Sequence, residues 1–204
     1  MAGLATTLGS GAMTNSMEEV LKAKVILVIG SNTTWNHPVF GSLLKQAVKH
    51  HGAKLIVCDP RRVDLVNFAD IWLQQRNGSD VALLSGLQHI ILKEGWEAKK
   101  YIEERCEGFE EYRKAIDFYT PEKVQELTGV EPADLRAAAE LYTKTGVGAL
   151  YYCMGITQHS HGVDNVKSCV NLQLITGNLG VEGGGVNPLR GQNNVQGACD
   201  MGGL

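Results

Sequence analysis

Residues 24–62, KVILVIGSNTTWNHPVFGSLLKQAVKHHGAKLIVCDPRR, decide the fold. Val25 to Ile29 is an unbroken apolar, mostly β-branched run closing on Gly30, the pattern of a central parallel strand covered on both faces. Pro38 then occupies a first helical position, and Phe40, Leu43, Leu44, Ala47 and Val48 line one face until Gly52 stops the helix. Leu55 to Cys58 supplies a second apolar run. Strand, helix and strand in this order make a βαβ unit with a right-handed crossover.

Working outward, Ala69–Leu73 reads as a short third strand. Ser79 is placed to cap a helix whose apolar stripe is Leu83, Leu84, Leu87, Ile90 and Ile91. From about 96 to 145 the pattern is helical and charged, with starts at Thr120-Pro121 and Glu131-Pro132, which reads as a helical insertion or lid packed on the sheet. Ala149–Cys153 is a fourth strand, and Asp164–Thr176 a helix ended by Gly177. Upstream, a Gly/Thr-rich entry loop leads to Ser16-Met17-Glu18-Glu19, a capping box opening a short helix to about Lys22. No repeat or low-complexity linker divides the chain. The expectation is one α/β domain over residues 1–204, an open, mostly parallel sheet with helices on both faces, closed by a loop from about 177 to 204.

Bulk composition narrows the function. A hydrophobic content of 44% with 20% charged residues is that of a globular protein rather than a disordered one. Net charge is 19 − 22 = −3 with no basic stripe, which argues against nucleic acid as a partner. Runs such as Val25–Ile29 are far too short to span a membrane. No basic segment followed by an apolar stretch opens the sequence, so no signal peptide is read in it; a cytoplasmic location is the expectation, with a periplasmic parent protein as the alternative. The five cysteines, at 58, 106, 153, 169 and 199, form no C-x-x-C pair, so no metal or iron–sulfur ligation is assigned within the chain. His50-His51 and His159-Ser160-His161 lack a partner at ligand spacing and read as surface and loop histidines.

In an open parallel sheet, ligands bind beyond the carboxyl ends of the strands. A polar motif follows each proposed strand: Gly30-Ser31-Asn32, Asp59-Pro60-Arg61-Arg62, Asn77-Gly78-Ser79-Asp80 and Met154-Gly155-Ile156-Thr157-Gln158. Ser31, Asn32 and the helix start after His37 suit a pyrophosphate. Asp59 is placed for ribose hydroxyls or a purine edge, or simply makes a turn with Pro60. Asp80 either accepts two hydrogen bonds from the N1–H and amino group of guanine or is a first-turn acid favoured by the helix dipole. Cys58 and Cys153 either touch a ligand or fill space at strand ends. The chain has no G-x-G-x-x-G, P-loop or G-x-S-x-G signature.

The last segment, GGGVNPLRGQNNVQGACDMGG (183–203), sets Arg190 among glycines and amides. From Ser168 to Leu204 the charged residues are Glu182, Arg190 and Asp200, so Arg190 is the one cation there for an anion. Gly183, Gly184, Gly185, Gly191 and Gly197 let backbone approach a ligand or take positive φ. Gln192, Asn193, Asn194 and Gln196 offer amide donors and acceptors for a heterocycle or its phosphates.

Residues 187–202, NPLRGQNNVQGACDMG, closely resemble the active-site stretch of the catalytic subunit of molybdenum- or tungsten-dependent formate dehydrogenases, in the molybdopterin oxidoreductase superfamily. GSNTTWNHP (30–38), CDPRR (58–62), NGSD (77–80), MGITQ (154–158) and TGNLG (176–180) agree in order. The resemblance implies a Rossmann-like domain binding molybdopterin guanine dinucleotide, one of the two in a bis-pterin centre, through Gly30, Ser31, Asn32, Asn36, Cys58, Asp59, Arg61, Gly78, Asp80, Met154, Gly155, Gln158, Gly191, Gln192 and Asn193. It implies formate as substrate and Arg190 as the catalytic residue that orients it, with neutralisation of cofactor phosphate as the other role open to that side chain. In such enzymes a selenocysteine or cysteine ligating the metal, followed by histidine, lies shortly before the position of Ala2, and an iron–sulfur region lies further upstream. The expectation is therefore a middle piece of a subunit, silent alone, working with the remaining domains and with electron-transfer subunits. A nitrate reductase-like relative and a non-catalytic guanine-nucleotide or protein-docking module are the alternatives.

Overall fold

The computed structural model describes residues 1–203, so Leu204, the last residue of the expected C-terminal loop, lies outside the described residues. Five strands, β1 (Val25–Ile29), β2 (Lys54–Cys58), β3 (Ile71–Leu73), β4 (Gly148–Tyr152) and β5 (Val186–Pro188), form one parallel sheet in the order β3-β2-β1-β4-β5. The helices are α1 (Ala2–Leu8), α2 (Thr33–Asn36), α3 (Pro38–His51), α4 (Asp80–Lys93), α5 (Lys99–Arg105), α6 (Phe109–Ile116), α7 (Pro121–Thr128), α8 (Pro132–Lys144), α9 (Met154–Thr157), α10 (Gly162–Ile175) and α11 (Val195–Asp200). Two 3₁₀ turns, Met17–Lys22 and Asp64–Phe68, complete the order.

The alternation of side chains along β1 assigns its residues to two cores. Val25, Leu27 and Ile29 pack with α1, α4, α7, α8 and α10, whereas Ile26 and Val28 pack with α3 and the two 3₁₀ turns. All five β1 residues are fully buried, and burying each such side chain is worth about 1.5–3 kcal/mol relative to leaving it exposed. Helices thus cover both faces, as the continuous apolar run requires. Among the described residues no helix is long and apolar enough to cross a membrane.

Strand register matters most for function. Ile29 is level with Cys58 on one side and Tyr152 on the other, Cys58 is level with Leu73, and Tyr152 with Pro188. All five carboxyl ends therefore finish flush, and the segments leaving them must meet along one edge.

Several expectations need correction. Ala2–Leu8 is a helix rather than an entry loop, because Gly3 lets it lie on α10, where a Cβ would come within 2.7 Å of Val166 Cβ. Val186–Pro188 is a fifth strand, created by pairing with β4. The helices expected over 96–145 are α5 to α8; they pack on the sheet, and none of their residues walls the main cleft. Ile102, Ile116, Val124, Leu135 and Ala138 are buried in the same core as β1. Ser79 occupies the N-cap position of α4 without a side-chain cap bond, since its hydroxyl donates to Arg76 O at 2.7 Å. The capping box at Ser16 and Glu19 is present.

Candidate nucleotide and anion site

The order 3-2-1-4-5 reverses between β1 and β4, and there the connections leaving the sheet diverge to opposite sides. Gly30, at φ +59°, ends β1, and its carbonyl accepts the N–H of Gly155 at 3.0 Å. A Cβ on Gly155 would sit 2.6 Å from Gly30 O, and one on Gly30 would sit 2.7 Å from Gly155 C. Two bare backbones touching in this way keep the switch point tightly closed and leave a cleft of about 730 Å³ above it.

Thirteen of the fifteen residues assigned to a cofactor from sequence wall this one cleft. Gly30, Ser31, Asn32 and Asn36 come from the end of β1, Asp59 and Arg61 from β2, Gly78 and Asp80 from β3, Met154, Gly155 and Gln158 from β4, and Gly191 and Gln192 from the segment after β5. Two fall elsewhere. Cys58 is fully buried in the sheet, where burial pushes its thiol far up and leaves it an inert space-filler. Asn193 is exposed and walls neither this cleft nor its neighbour.

Two carboxylates sit deep. Asp59 is 4% exposed, and burial raises its pKa above the usual range, partly offset by the Arg61 N–H donating to Oδ1 at 2.8 Å. Asp80, also 4% exposed, begins α4 and accepts Gln75 Nε2 at 3.0 Å on Oδ1, with His159 Nε2 3.9 Å from Oδ2. Arg61 and Arg76 add positive charge to the same walls, and Arg76 is anchored by donating to Glu126 O at 2.6 Å.

Arg190 stands at the junction with a second cavity of about 180 Å³, which shares Cys153, Met154, Gln158, Gly191 and Gln192 with the cleft. Its guanidinium is part-buried: Nη2 donates to Gly11 O and to Gln196 Oε1 at 2.7 Å and lies 3.3 Å from Met1 Sδ. Among the described residues, Nε and Nη1 have no protein acceptor. Its backbone is fixed as well, because His37 Nε2 donates to Arg190 O at 2.6 Å and so ties the start of α3 to the loop after β5.

Sequence reasoning did not include His37, His159, Arg76 or Trp35 among the site residues, although all four wall the cleft. His37 and Trp35 lie inside the GSNTTWNHP motif, and that position was the available signal. Gly183 and Gly185 take the positive φ open to glycine, +78° and +87°, but no residue of the glycine triplet walls the cleft. All three are buried, and added Cβ atoms would meet Lys22 C at 2.9 Å, Asn178 O at 2.4 Å and Asn15 Oδ1 at 1.9 Å. They serve packing, and Gly191 is the glycine of that segment that reaches the cleft.

A flush parallel sheet with a polar cleft at its switch point defines a doubly wound α/β protein with a candidate ligand site at the carboxyl edge of its strands. The family model for molybdopterin oxidoreductases matches residues 3–204, and the chain belongs to that family. It is 45% identical over 204 residues to formate dehydrogenase H of Escherichia coli (strain K12), covering 100% of this chain and 28% of that protein. It is 48% identical over 204 residues to the F420-dependent formate dehydrogenase subunit alpha of Methanocaldococcus jannaschii, covering 100% of this chain and 30% of that one. The solved structure of acetylene hydratase from Pelobacter acetylenicus superimposes with a TM-score of 0.82 at 30% identity, over 91% of this chain and 25% of the hydratase. The chain thus spans under a third of the length of these relatives.

Proposed function

We propose that these residues form the part of a formate dehydrogenase catalytic subunit that holds one molybdopterin guanine dinucleotide of a molybdenum or tungsten bis-pterin centre, and that Arg190 orients formate beside it. The observation that carries this reading is the junction at Arg190: Gly191 and Gln192 wall the nucleotide cleft while Arg190 walls the adjoining small cavity.

The donor set fits the group. A cleft of about 730 Å³ lies within the roughly 300–1,000 Å³ typical of cofactor sites. Ser31, Asn32 and Asn36, with Arg61 and Arg76 as cations, suit a pyrophosphate. Asp59 would take ribose hydroxyls. Asp80 keeps lone pairs for the N1–H and amino group of guanine, with Gln75 holding one oxygen in place. When bound, the metal–pterin group supplies the two-electron acceptor for oxidation of formate to carbon dioxide. Arg190 contributes the planar fork: among the described residues Nε and Nη1 have no protein acceptor, and a carboxylate gripped by parallel hydrogen bonds takes Nη2 together with one of them, displacing Gln196 Oε1 or Gly11 O from Nη2.

A hydratase shares this fold, so the choice of formate rests on Arg190 and on the names of relatives 45–48% identical. The archaeal relative is named as an alpha subunit, which supports further subunits that carry the electrons away. Iron–sulfur ligation belongs to segments outside these residues.

Calorimetric titration of GDP and ADP into wild type and Asp80→Ala tests the nucleotide half. Losing charged hydrogen bonds of about 1.5–3 kcal/mol each predicts at least a tenfold loss of GDP affinity and a collapse of the preference over ADP. Unchanged GDP affinity in Asp80→Ala refutes the assignment.

A further inference from the structure

The cleft has one aromatic wall that the reading above leaves unused. Trp35, in α2, walls it and is 73% exposed. Its indole is nonetheless held. Nε1–H donates to Asp64 Oδ2 at 2.9 Å, and Thr34 Oγ1 donates to the same oxygen at 3.4 Å. Asp64 begins the 3₁₀ turn that follows β2. Trp35 leaves the end of β1 but is drawn toward the β2–β3 half of the sheet, where Asp59, Arg61 and Asp80 stand. Among the described residues no aromatic ring or cationic side chain stacks on the indole.

A large apolar ring fixed in solvent at the wall of a polar cleft gains little for the fold, but it can receive the face of a planar heterocycle. Hydrogen-bonding groups such as Asp80 read the edge of a base and leave its two faces to be covered. Stacking on an aromatic side chain covers one of them and is worth a substantial part of nucleobase affinity.

We propose that Trp35 is the stacking platform for the guanine base whose edge Asp80 takes. The proposal rests on the nucleotide reading of the cleft and adds to it the residue that supplies base affinity, as distinct from base choice. Asp64 is the positioning residue that fixes the plane of the indole through its N–H.

The test uses GDP as the probe, with two readouts in parallel: tryptophan emission and calorimetry. Trp72, whose N–H donates to Asp59 O at 2.9 Å, is near enough to the cleft to contribute emission, so wild type and Trp72→Phe are compared first. In both, GDP quenches the emission. In Trp35→Phe on the Trp72→Phe background the quench is lost while affinity stays within about twofold, since phenylalanine still offers a ring face. In Trp35→Ala affinity falls about 5- to 100-fold, with an unchanged thermal melt because the side chain is mostly outside the core. If Trp35→Ala binds GDP as wild type does while Asp80→Ala does not, stacking is overturned and the nucleotide cleft stands. If wild type gives no GDP binding by calorimetry, both are overturned. Quenching that persists in Trp35→Phe on the Trp72→Phe background also overturns the proposal.

Discussion

Gly155→Ala is the sharpest perturbation the switch point offers. The added methyl would lie 2.6 Å from Gly30 O, 2.7 Å from its Cα and 2.8 Å from its C, all backbone atoms that cannot rotate away. Relief requires β1 and β4 to part at their ends, which also stretches the 3.0 Å hydrogen bond from Gly155 N to Gly30 O. Overpacking of this kind costs about 1–3 kcal/mol, and the weakened bond adds about 0.5–1.5 kcal/mol. The sum, about 1.5–4.5 kcal/mol, corresponds to a fall in melting temperature of about 3–18 °C for a domain of this size. Gly191→Ala is the matched control, because its methyl meets only Met154 Sδ, at 2.9 Å, the movable end of a flexible side chain. Circular dichroism melts and urea titrations of the three proteins decide the matter. A Gly155→Ala melt within about 1 °C of wild type, or no lower than that of Gly191→Ala, would show that the closed switch point is not rigid and that this reasoning is wrong.

Three further outcomes follow from the same structure. Glu19 is held down at about 2, from an ordinary 4.5, first by the Asn15 amide and then by the N–H groups of Ser16 and Gly183. Its folded value lies below its unfolded one, so its stabilisation is present above about pH 4.5 and drains as pH falls toward 2. Glu19→Gln should flatten the acid limb of stability in that window, and urea midpoints with the same acid slope as wild type would exclude the linkage. Arg190→Lys in the full-length subunit exchanges a planar fork for a point charge, and kcat/KM for formate should fall about 10- to 100-fold; steady-state rates equal to wild type would remove Arg190 from substrate orientation. On the proposed reading the selenocysteine or cysteine that ligates the metal lies before the position of Ala2. Formate-dependent dye reduction by the purified 204-residue chain should then be undetectable, and turnover above background would contradict the proposed division of labour.

The parts of the fold legible in the sequence are those where side-chain pattern alone dictates structure. Val25–Ile29 and Leu55–Cys58 are apolar without interruption because helices cover both faces, and the Pro38 start and Gly52 stop of α3 need only local backbone rules. β5 was hidden because Val-Asn-Pro has no apolar run. It is a strand only because β4 offers it partners and because buried Asn187 finds Asn15 N and Gly184 O. α1 was hidden for a similar reason, its small residues being meaningful only against α10. The positions of the site loops could be read, since parallel strands carry whatever follows them to one edge. The tie from His37 to Arg190 O could not, because it joins residues 153 positions apart through a single hydrogen bond.

The stitch between the two ends of the described chain sets an order of events during synthesis. Thr14 N donates to Val186 O at 3.2 Å and Asn15 N to Asn187 Oδ1 at 3.3 Å, each bond spanning 172 residues. Closing so long a loop carries a large entropic cost, and parallel pairing between distant segments is slow to form. A ribosome releases the partner of residue 14 only after nearly the whole stretch has been translated, and Gly191 and Gln192 emerge later still. Until then the nascent chain lacks one bank of its cleft, so the proposed loading of a molybdopterin cofactor comes after Gln192 has emerged from the exit tunnel.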